Sequence, residues 1–180
     1  MAFPARQKFT FLDYVKLEEV AAVKHEYLDG LVWAMAGGTP EHAGIAGNVI
    51  GILRQQLSGQ PCRVFTSDLR IRVAATGLAT YPDASVVCGA LETDPEDKNT
   101  VINPVVVVEV LSASKLSHYF QIESLRQIVL VAHDARRVDV HERSEQGWTI
   151  RQYTGSQIAE LAFEGLRLPL DDVYDDPLAR

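Results

Sequence analysis

The chain has 180 residues, of which 47% are hydrophobic and 23% charged, and its formal net charge is −7. This composition is ordinary for a globular protein and excludes a collagen-like, low-complexity or disordered chain. A protein that coats nucleic acid is usually basic, so the charge favours at most a local nucleic-acid-binding face. The length predicts a single domain over residues 1–180.

Cysteine content and apolar runs bear on the location of the protein. The two cysteines, Cys62 and Cys88, are too few for a disulfide framework, and we expect both to be buried thiols beside strands. No apolar run approaches the ~20 residues that a membrane helix needs. Residues 1–8 lack the apolar core of a signal peptide. We therefore expect no membrane association and a cytoplasmic location.

Helix and turn signals dominate the first third of the chain. Thr10, with Asp13 three residues later, predicts a capped helix over 11–20. Asp29-Gly30 predicts a tight turn between two strands, because both positions tolerate positive φ. The longest predicted helix begins at Pro40 and continues to about residue 57. Close packing against a sheet or a partner would explain why this helix contains Gly44, Gly47 and Gly51.

Strands dominate the rest of the chain. Apolar or alternating residues predict strands at 62–66, 68–73, 127–132, 138–142 and 148–153. An acidic loop is expected at 92–97 and a helix at 112–123. This order of elements predicts an α/β (α+β) fold, with one mixed central β-sheet flanked by helices and additional N- and C-terminal strands.

Two further strands each carry one carboxylate among apolar residues. Asp83 follows Tyr81-Pro82, and Glu109 lies between Val108 and Val110. A buried, ionised carboxylate costs several kcal/mol unless something compensates it. Mg²⁺ prefers carboxylate oxygens, so one ion between the two strands would compensate both. The alternative is that Asp83 caps a turn and Glu109 is solvated at a sheet edge; the flanking valines count against it.

Lys115 follows Glu109 by six residues, at the start of the next predicted helix. A lysine beside a metal ion and two carboxylates can orient a water molecule or stabilise negative charge on a phosphate. The commoner explanation for such a residue is a surface lysine. A second cluster, formed by His133, Asp134, Asp139 and His141, fits the alternation of a half-exposed hairpin strand, and we interpret it as surface.

The order of these motifs resembles the Uma2 (DUF820-like) family, a branch of the PD-(D/E)xK restriction-endonuclease-like superfamily. The matching segments cover nearly the whole chain: 11–17, 25–30, 35–39 with His42 and Asn48, 68–73, 81–83, 107–112, Lys115 with Tyr119, and 124–126.

The resemblance implies a restriction-endonuclease-like core and a metal-dependent DNA endonuclease. It implies that Asp83 and Glu109 bind Mg²⁺ or Mn²⁺ and that Lys115 completes the catalytic site. The accessory residues that it implies around the cleft are Glu26, His42, Asp68 and Tyr119. Family analogy, the glycine-containing helix and the exposed hairpin strands together predict a homodimer, and DNA is the predicted substrate.

The chain departs from the family pattern at the lysine. In the superfamily the lysine lies two residues after the second acid, which is Leu111 here. The Uma2 branch looks as if it has moved this lysine onto the following helix. Lys115 would then be the counterpart of the superfamily lysine. The family usually carries a longer segment with an Asp before this lysine, whereas 112–114 lead directly into Lys115. A genuine deletion and a stretch missing from the sequence both explain the difference.

Three functions stay open at this stage. The first is a metal-dependent DNA endonuclease, and the second is hydrolysis of another phosphoester at the same metal site. The third is a non-catalytic protein of the nuclease fold that binds nucleic acid or a protein partner. The acidic net charge and the short connection before Lys115 favour the third.

Overall fold

The computed structural model describes residues 8–110 and 113–176. Within them the helices are α1 (Phe11–Val20), α2 (Pro40–Gln56), α3 (Leu116–Tyr119) and α4 (Leu170–Val173), with a 3₁₀ turn at Phe163–Gly165. The strands are β1 (His25–Leu28), β2 (Leu31–Ala34), β3 (Cys62–Thr66), β4 (Arg70–Val73), β5 (Leu78–Thr80), β6 (Ala84–Cys88), β7 (Thr93–Asp94), β8 (Asp97–Val101), β9 (Val106–Val110), β10 (Gln127–Val131), β11 (Arg137–Ser144), β12 (Gly147–Thr154), β13 (Ile158–Glu160) and β14 (Arg167–Pro169).

The described strands form two mixed six-stranded sheets and one β13–β14 pair. Sheet A has the order β2-β1-β5-β4-β8-β7, and sheet B has the order β12-β11-β10-β9-β6-β3. The α+β class is confirmed, although the strands divide between two large sheets where one central sheet was expected. The acidic segment predicted as a loop contributes β7 and the start of β8, because Asp94 and Asp97 pair with Arg72 and Arg70 of β4.

Strand β9 separates two hydrophobic cores. Val106, Val108 and Val110 face the core that includes α2 and α4. Val107 faces the second core, which contains Ile71 of sheet A and Ile128 of sheet B. Side chains alternate along a strand, so Glu109 projects on the same face as Val107, toward sheet A. The fold therefore directs this glutamate into the space between the two large sheets.

Local signals at the N-terminal end are confirmed. Thr10 caps α1, and its hydroxyl accepts a hydrogen bond from the Asp13 amide at 3.1 Å. The β1–β2 turn has φ of 52° at Asp29 and 84° at Gly30, as the turn type requires. The three glycines of α2 are exposed, and a Cβ on any of them would meet open space. Packing against a sheet is therefore not the reason for these glycines.

The helix predicted at 112–123 is much shorter in the structure, where α3 covers Leu116–Tyr119. Arg143 of β11 explains this end: its guanidinium donates to the carbonyl oxygens of Phe120 and Ile122 at 2.7 and 2.8 Å. These hydrogen bonds hold the segment after α3 against β11, and the Ile122 carbonyl also accepts from the Leu125 amide at 3.2 Å, in a turn that does not continue the helix. The first residue of the predicted helix, Ser112, lies outside the described residues.

The expectation of two thiols is wrong. Cys62 and Cys88 lie directly opposite each other in the antiparallel β3–β6 pair, with 4.0 Å between their Cα atoms, and they form a disulfide. The reason is the register of two strands that are far apart in sequence, which cysteine spacing does not reveal. Of the helices in 8–110 and 113–176, none is long and apolar enough to cross a membrane.

Candidate active site

The two strand carboxylates meet at one end of the β6–β9 pair. These strands are antiparallel, with Ala84 opposite Val108, so continuing the register by one residue brings Asp83 opposite Glu109. Opposed residues of an antiparallel pair share one face of the sheet. The Val110 amide donates to Oδ2 of Asp83 at 2.7 Å, which fixes Asp83 against β9. The backbone therefore places both predicted metal ligands at the same end of the β6–β9 pair.

Glu109 is almost completely enclosed, with 4% of its surface exposed. The Tyr119 hydroxyl donates to its Oε1, and Nζ of Lys115 lies 3.1 Å from the same oxygen. Burial raises the pKa of the Glu109 carboxyl and the nearby Asp83 adds to this, although Lys115 and Tyr119 favour the ionised form. The α3 turn thus places two of the predicted residues, Lys115 and Tyr119, directly on Glu109.

Lys115 precedes α3 and reaches into the gap between the two sheets. Its Nζ lies 2.8 Å from Oε1 of Glu26 and donates to the Thr80 hydroxyl at 3.1 Å. Burial disfavours the ammonium form, but Glu109 and Glu26 outweigh it, so the pKa of Lys115 is raised. Lys115 is therefore a charged group held by carboxylates from both sheets, not the surface lysine of the commoner explanation.

Glu26 of β1 completes the cluster from the side of sheet A. Its Oε1 accepts from Thr80 and Lys115, and its Oε2 accepts from Nε1 of Trp33 at 3.0 Å. Burial opposes ionisation, yet these hydrogen bonds hold the pKa of Glu26 below its ordinary value. Glu26 is consequently an ionised partner that positions the Lys115 ammonium.

His42 contacts Asp83 from the first turns of α2. Its Nε2 lies 3.2 Å from Oδ2 of Asp83. Gly38 allows this approach, since a Cβ at that position would lie 2.6 Å from Nδ1 of His42. A cavity of about 650 Å³ adjoins this contact, and His42, Asp83, Lys24 and Met35 are among its lining residues. The predicted residues Asp83 and His42 therefore share a cavity wall.

Asp68 lies apart from the acid cluster, which consists of Glu26, Asp83 and Glu109 around Lys115. Its side chain is 84% exposed and pairs with Nζ of Lys24 at 2.5 Å. Lys24 and Ser67 line the cavity beside Asp83, which puts Asp68 near the cavity rim. An accessory role for Asp68 stays a prediction. In the second candidate cluster, Asp139 accepts a hydrogen bond from Gln152 at 2.9 Å on the β11–β12 hairpin.

The acid cluster contains more negative than positive groups. Glu26, Asp83 and Glu109 are three carboxylates, and Lys115 is the lysine that two of them contact. The described part of the chain contains no group of three or more His, Cys, Asp or Glu residues placed to hold a metal ion. Mg²⁺ commonly binds through one or two carboxylates and keeps several waters. The Asp83–Glu109 pair fits that sparse mode of binding.

Sequence reasoning missed two groups of this site. Thr80 is fully buried and contacts both Glu26 and Lys115. Trp33 binds the second oxygen of Glu26. The Asp29-Gly30 turn could have revealed Trp33, because a two-residue hairpin places residues 28 and 31, and hence 26 and 33, opposite each other. No local signal marks Thr80, whose role comes from the packing of sheet A against α3.

A match to a family model identifies the family of the chain. The family model for Uma2, described as "Putative restriction endonuclease", matches residues 11–171, so the chain belongs to the Uma2 family. The resemblance of the sequence motifs is thus confirmed.

Two relatives and one solved structure are also similar to the chain. The chain is 33% identical over 174 residues to "Uncharacterized protein slr1290" of Synechocystis sp., covering 90% of this chain and 89% of that protein. It is 25% identical to "Uncharacterized protein sll1609" of the same organism, covering 88% and 94%. A crystal structure from Anabaena variabilis, described as "a putative nuclease belonging to DUF820", superposes with a TM-score of 0.74 at 17% identity, covering 92% of this chain and 97% of that one. This last likeness concerns the fold.

Proposed function

We propose that the protein is a Mg²⁺- or Mn²⁺-dependent DNA endonuclease that hydrolyses phosphodiester bonds at the Asp83–Glu109 cluster. The observation that carries the proposal is the surplus of carboxylates around one lysine in a largely buried site. Such a surplus is unfavourable in an isolated protein and is relieved by a bound cation.

Asp83 and Glu109 are the proposed ligands of the ion. A divalent ion held there would lower the pKa of a bound water and withdraw charge from a phosphate. Lys115 and Tyr119 contact Oε1 of Glu109 and would hold this carboxylate in place beside a bound ion. Val110 and His42 hold the Asp83 carboxylate through its Oδ2.

Lys115 is the proposed cation for the substrate. Its ammonium is kept charged by Glu26 and Glu109, and it is suited to stabilise the negative charge that develops on the phosphate during hydrolysis. Glu26 and Thr80 act as positioning residues, because they contact Nζ of Lys115 and not the proposed ion. Tyr119 orients Glu109, and its own pKa is raised by burial, so it serves as a hydrogen-bond donor.

Cleavage of supercoiled plasmid DNA with Mg²⁺ or Mn²⁺ tests the proposal. We expect nicking by the wild type, and its loss in Asp83→Ala and Glu109→Ala by a factor of at least about 10² to 10³. Glu19→Ala, at an exposed position of α1, is the matched acidic control and should cleave normally. Cleavage that survives both site substitutions would refute the assignment.

The acidic net charge supports a second candidate, a non-catalytic member of the family that binds nucleic acid or a protein partner. This candidate predicts a folded protein with no divalent-ion binding in the millimolar range. Titration calorimetry with Mn²⁺ separates the two candidates, because only the endonuclease requires heat of binding that disappears in Glu109→Gln.

Three organisational features belong to the proposal. We assign residues 1–180 to one nuclease-like domain, since residues of both sheets contact Lys115. We assign a homodimer from the exposed glycines of α2, and light scattering that gives a monomer mass would refute it.

The Cys62–Cys88 disulfide counts against the expected cytoplasmic location, because disulfides are rare in reducing compartments. Thiol titration of protein from cell lysates tests that point.

A further inference from the structure

Trp33 lies beside the acid cluster with its ring open to solvent. It is opposite Glu26 in the β1–β2 register, so both side chains project from one face of sheet A. Its Nε1 donates to Oε2 of Glu26 at 3.0 Å, yet 40% of the residue is exposed. The hydrogen bond fixes the indole at its polar edge and leaves ring surface available to a ligand.

Trp33 lies next to the acid cluster, on the outermost described strand of sheet A. The Glu26 side chain lies between the indole and Lys115. Its Oε2 accepts from Nε1 of Trp33, and its Oε1 lies 2.8 Å from Nζ of Lys115. Strand β2 is the outermost strand of sheet A among those described, so no described strand covers Trp33 from that side. Two residues later the chain reaches Met35, which lines the cavity together with His42 and Asp83.

Charge does not equip this site for strong binding to duplex DNA. Affinity for a DNA backbone, in a duplex or a single strand, comes largely from cationic contacts with phosphates, and this protein carries a net charge of −7, so other contacts must contribute. Many of the described basic side chains are held by carboxylates: Lys24, Arg70, Arg72, Lys115, Arg136, Arg137 and Arg151. Stacking of a base on an aromatic ring needs no charge, but it requires a base that is not already stacked in a duplex.

We infer that Trp33 is a stacking platform for an unpaired nucleobase next to the scissile phosphate, and that the preferred substrate is single-stranded or locally unpaired DNA. The inference rests on the proposed nuclease function and specifies the substrate class of that site. Trp33 is a binding residue in this scheme, and its hydrogen bond to Glu26 links the bound base to the group that positions Lys115.

Binding without metal tests the inference separately from cleavage. Fluorescence anisotropy in EDTA is measured with a labelled dT oligonucleotide and with a duplex of equal length, for the wild type, Trp33→Ala and Trp33→Phe. We expect Trp33→Ala to weaken single-strand binding about 10- to 100-fold and to leave duplex binding unchanged. Trp33→Phe keeps a ring and loses the N–H donor, so it should bind within about threefold of the wild type.

Trp148 supplies a matched control and a spectroscopic readout. It packs against Phe120 and Arg143, with a ring-centroid distance of 4.9 Å to Phe120. Trp148→Phe should therefore retain single-strand binding. Because the chain has two tryptophans, this variant contains Trp33 alone, and its fluorescence should be quenched when the dT oligonucleotide binds.

Several outcomes would overturn the inference. It would be overturned by unchanged single-strand binding in Trp33→Ala, by an equal loss in Trp33→Phe, or by no quenching in Trp148→Phe.

Light scattering could also show that Trp33→Ala changes from dimer to monomer and loses binding. That result would assign the exposed β2 edge to a second copy of the chain. Metal-dependent cleavage that needs Asp83 but not Trp33 would refute the stacking role alone. Trp33-dependent binding without any cleavage would refute the nuclease activity alone.

Discussion

Two buried ionic clusters contact sheet A, and their different charge balance separates a structural ion pair from a candidate active site. The Arg70–Asp97 pair is as enclosed as the Lys115 cluster, with side chains that are 8% and 6% exposed. Arg70 donates to Thr100, Tyr81 and Asp97 at 2.6, 3.1 and 2.5 Å. Asp97 in turn accepts from Thr100 and from the Asn99 amide. One positive charge faces one negative charge, and both have hydrogen-bond partners.

The Lys115 cluster lacks this balance. Lys115 contacts Glu26 and Glu109, while Asp83 adds a third carboxylate beside Glu109. Hydrogen bonding keeps the pKa of Asp97 low despite burial, whereas burial raises the pKa of Glu109. Both the Arg70–Asp97 pair and the Lys115 cluster therefore contain buried charges. The Lys115 cluster differs because it has more negative than positive groups. The balance, more than the burial, is what indicates a binding site for a cation.

The largest effect is expected on the free energy of unfolding when the Arg70–Asp97 pair is broken. Asp97→Asn leaves the Arg70 guanidinium buried without a counter-charge, and we expect a loss of about 3–5 kcal/mol in the free energy of unfolding. Urea denaturation measures it. Glu96→Gln is the matched control: it removes an exposed partner of Arg72 and should change the free energy by less than about 1 kcal/mol. A loss below about 1 kcal/mol in Asp97→Asn would show that the two clusters do not differ as described.

A smaller effect is expected from divalent ions at the unbalanced cluster. Mn²⁺ at about 100 times its dissociation constant should raise the free energy of unfolding by about 2.7 kcal/mol, because it binds the folded state. Thermal unfolding with and without Mn²⁺ measures the increase. Asp83→Asn and Glu109→Gln should abolish it, while Asp97→Asn should retain it on a lower baseline. Equal stabilisation of all four proteins would mean that the ion binds elsewhere.

Sequence reasoning predicted the site acids because their environment is local. Val107, Val108 and Val110 surround Glu109 in sequence and indicate a strand that is buried on both faces, and Glu109 is indeed buried in the structure. Lys115 could be placed near Glu109 through the family resemblance. The direction of its side chain is set by α3, whose actual length depends on Arg143 of β11. That contact joins residues more than twenty positions apart, and no local pattern contains it.

The division into two sheets was also beyond local patterns. Segment 92–97 has the composition of a loop, yet its aspartates pair with the arginines of β4 and draw it into sheet A. Likewise, the Cys62–Cys88 disulfide follows from strand register and not from cysteine spacing. Short-range signals such as the Thr10 cap and the Asp29-Gly30 turn were reliable, because the atoms that determine them lie within a few residues.

The smallest expected effect concerns the pH dependence that Glu109 gives to stability. The pKa of Glu109 is raised above the ordinary value of 4.5 in the folded protein, so the folded state retains this proton when the unfolded chain has lost it. The stabilisation is complete below about pH 4.5, and it is lost as the pH rises through the folded-state pKa.

Glu109→Gln does not titrate, and its stability should therefore increase relative to the wild type as the pH rises across that interval. Urea unfolding of both proteins between about pH 4 and pH 8 measures the difference, which reports about 1.4 kcal/mol for each unit of pKa elevation. Glu19→Gln, at an exposed position of α1, should give a difference that does not vary with pH. A wild type that gains stability relative to Glu109→Gln as the pH rises would mean that Lys115 already neutralises Glu109, leaving no surplus charge for an ion to compensate.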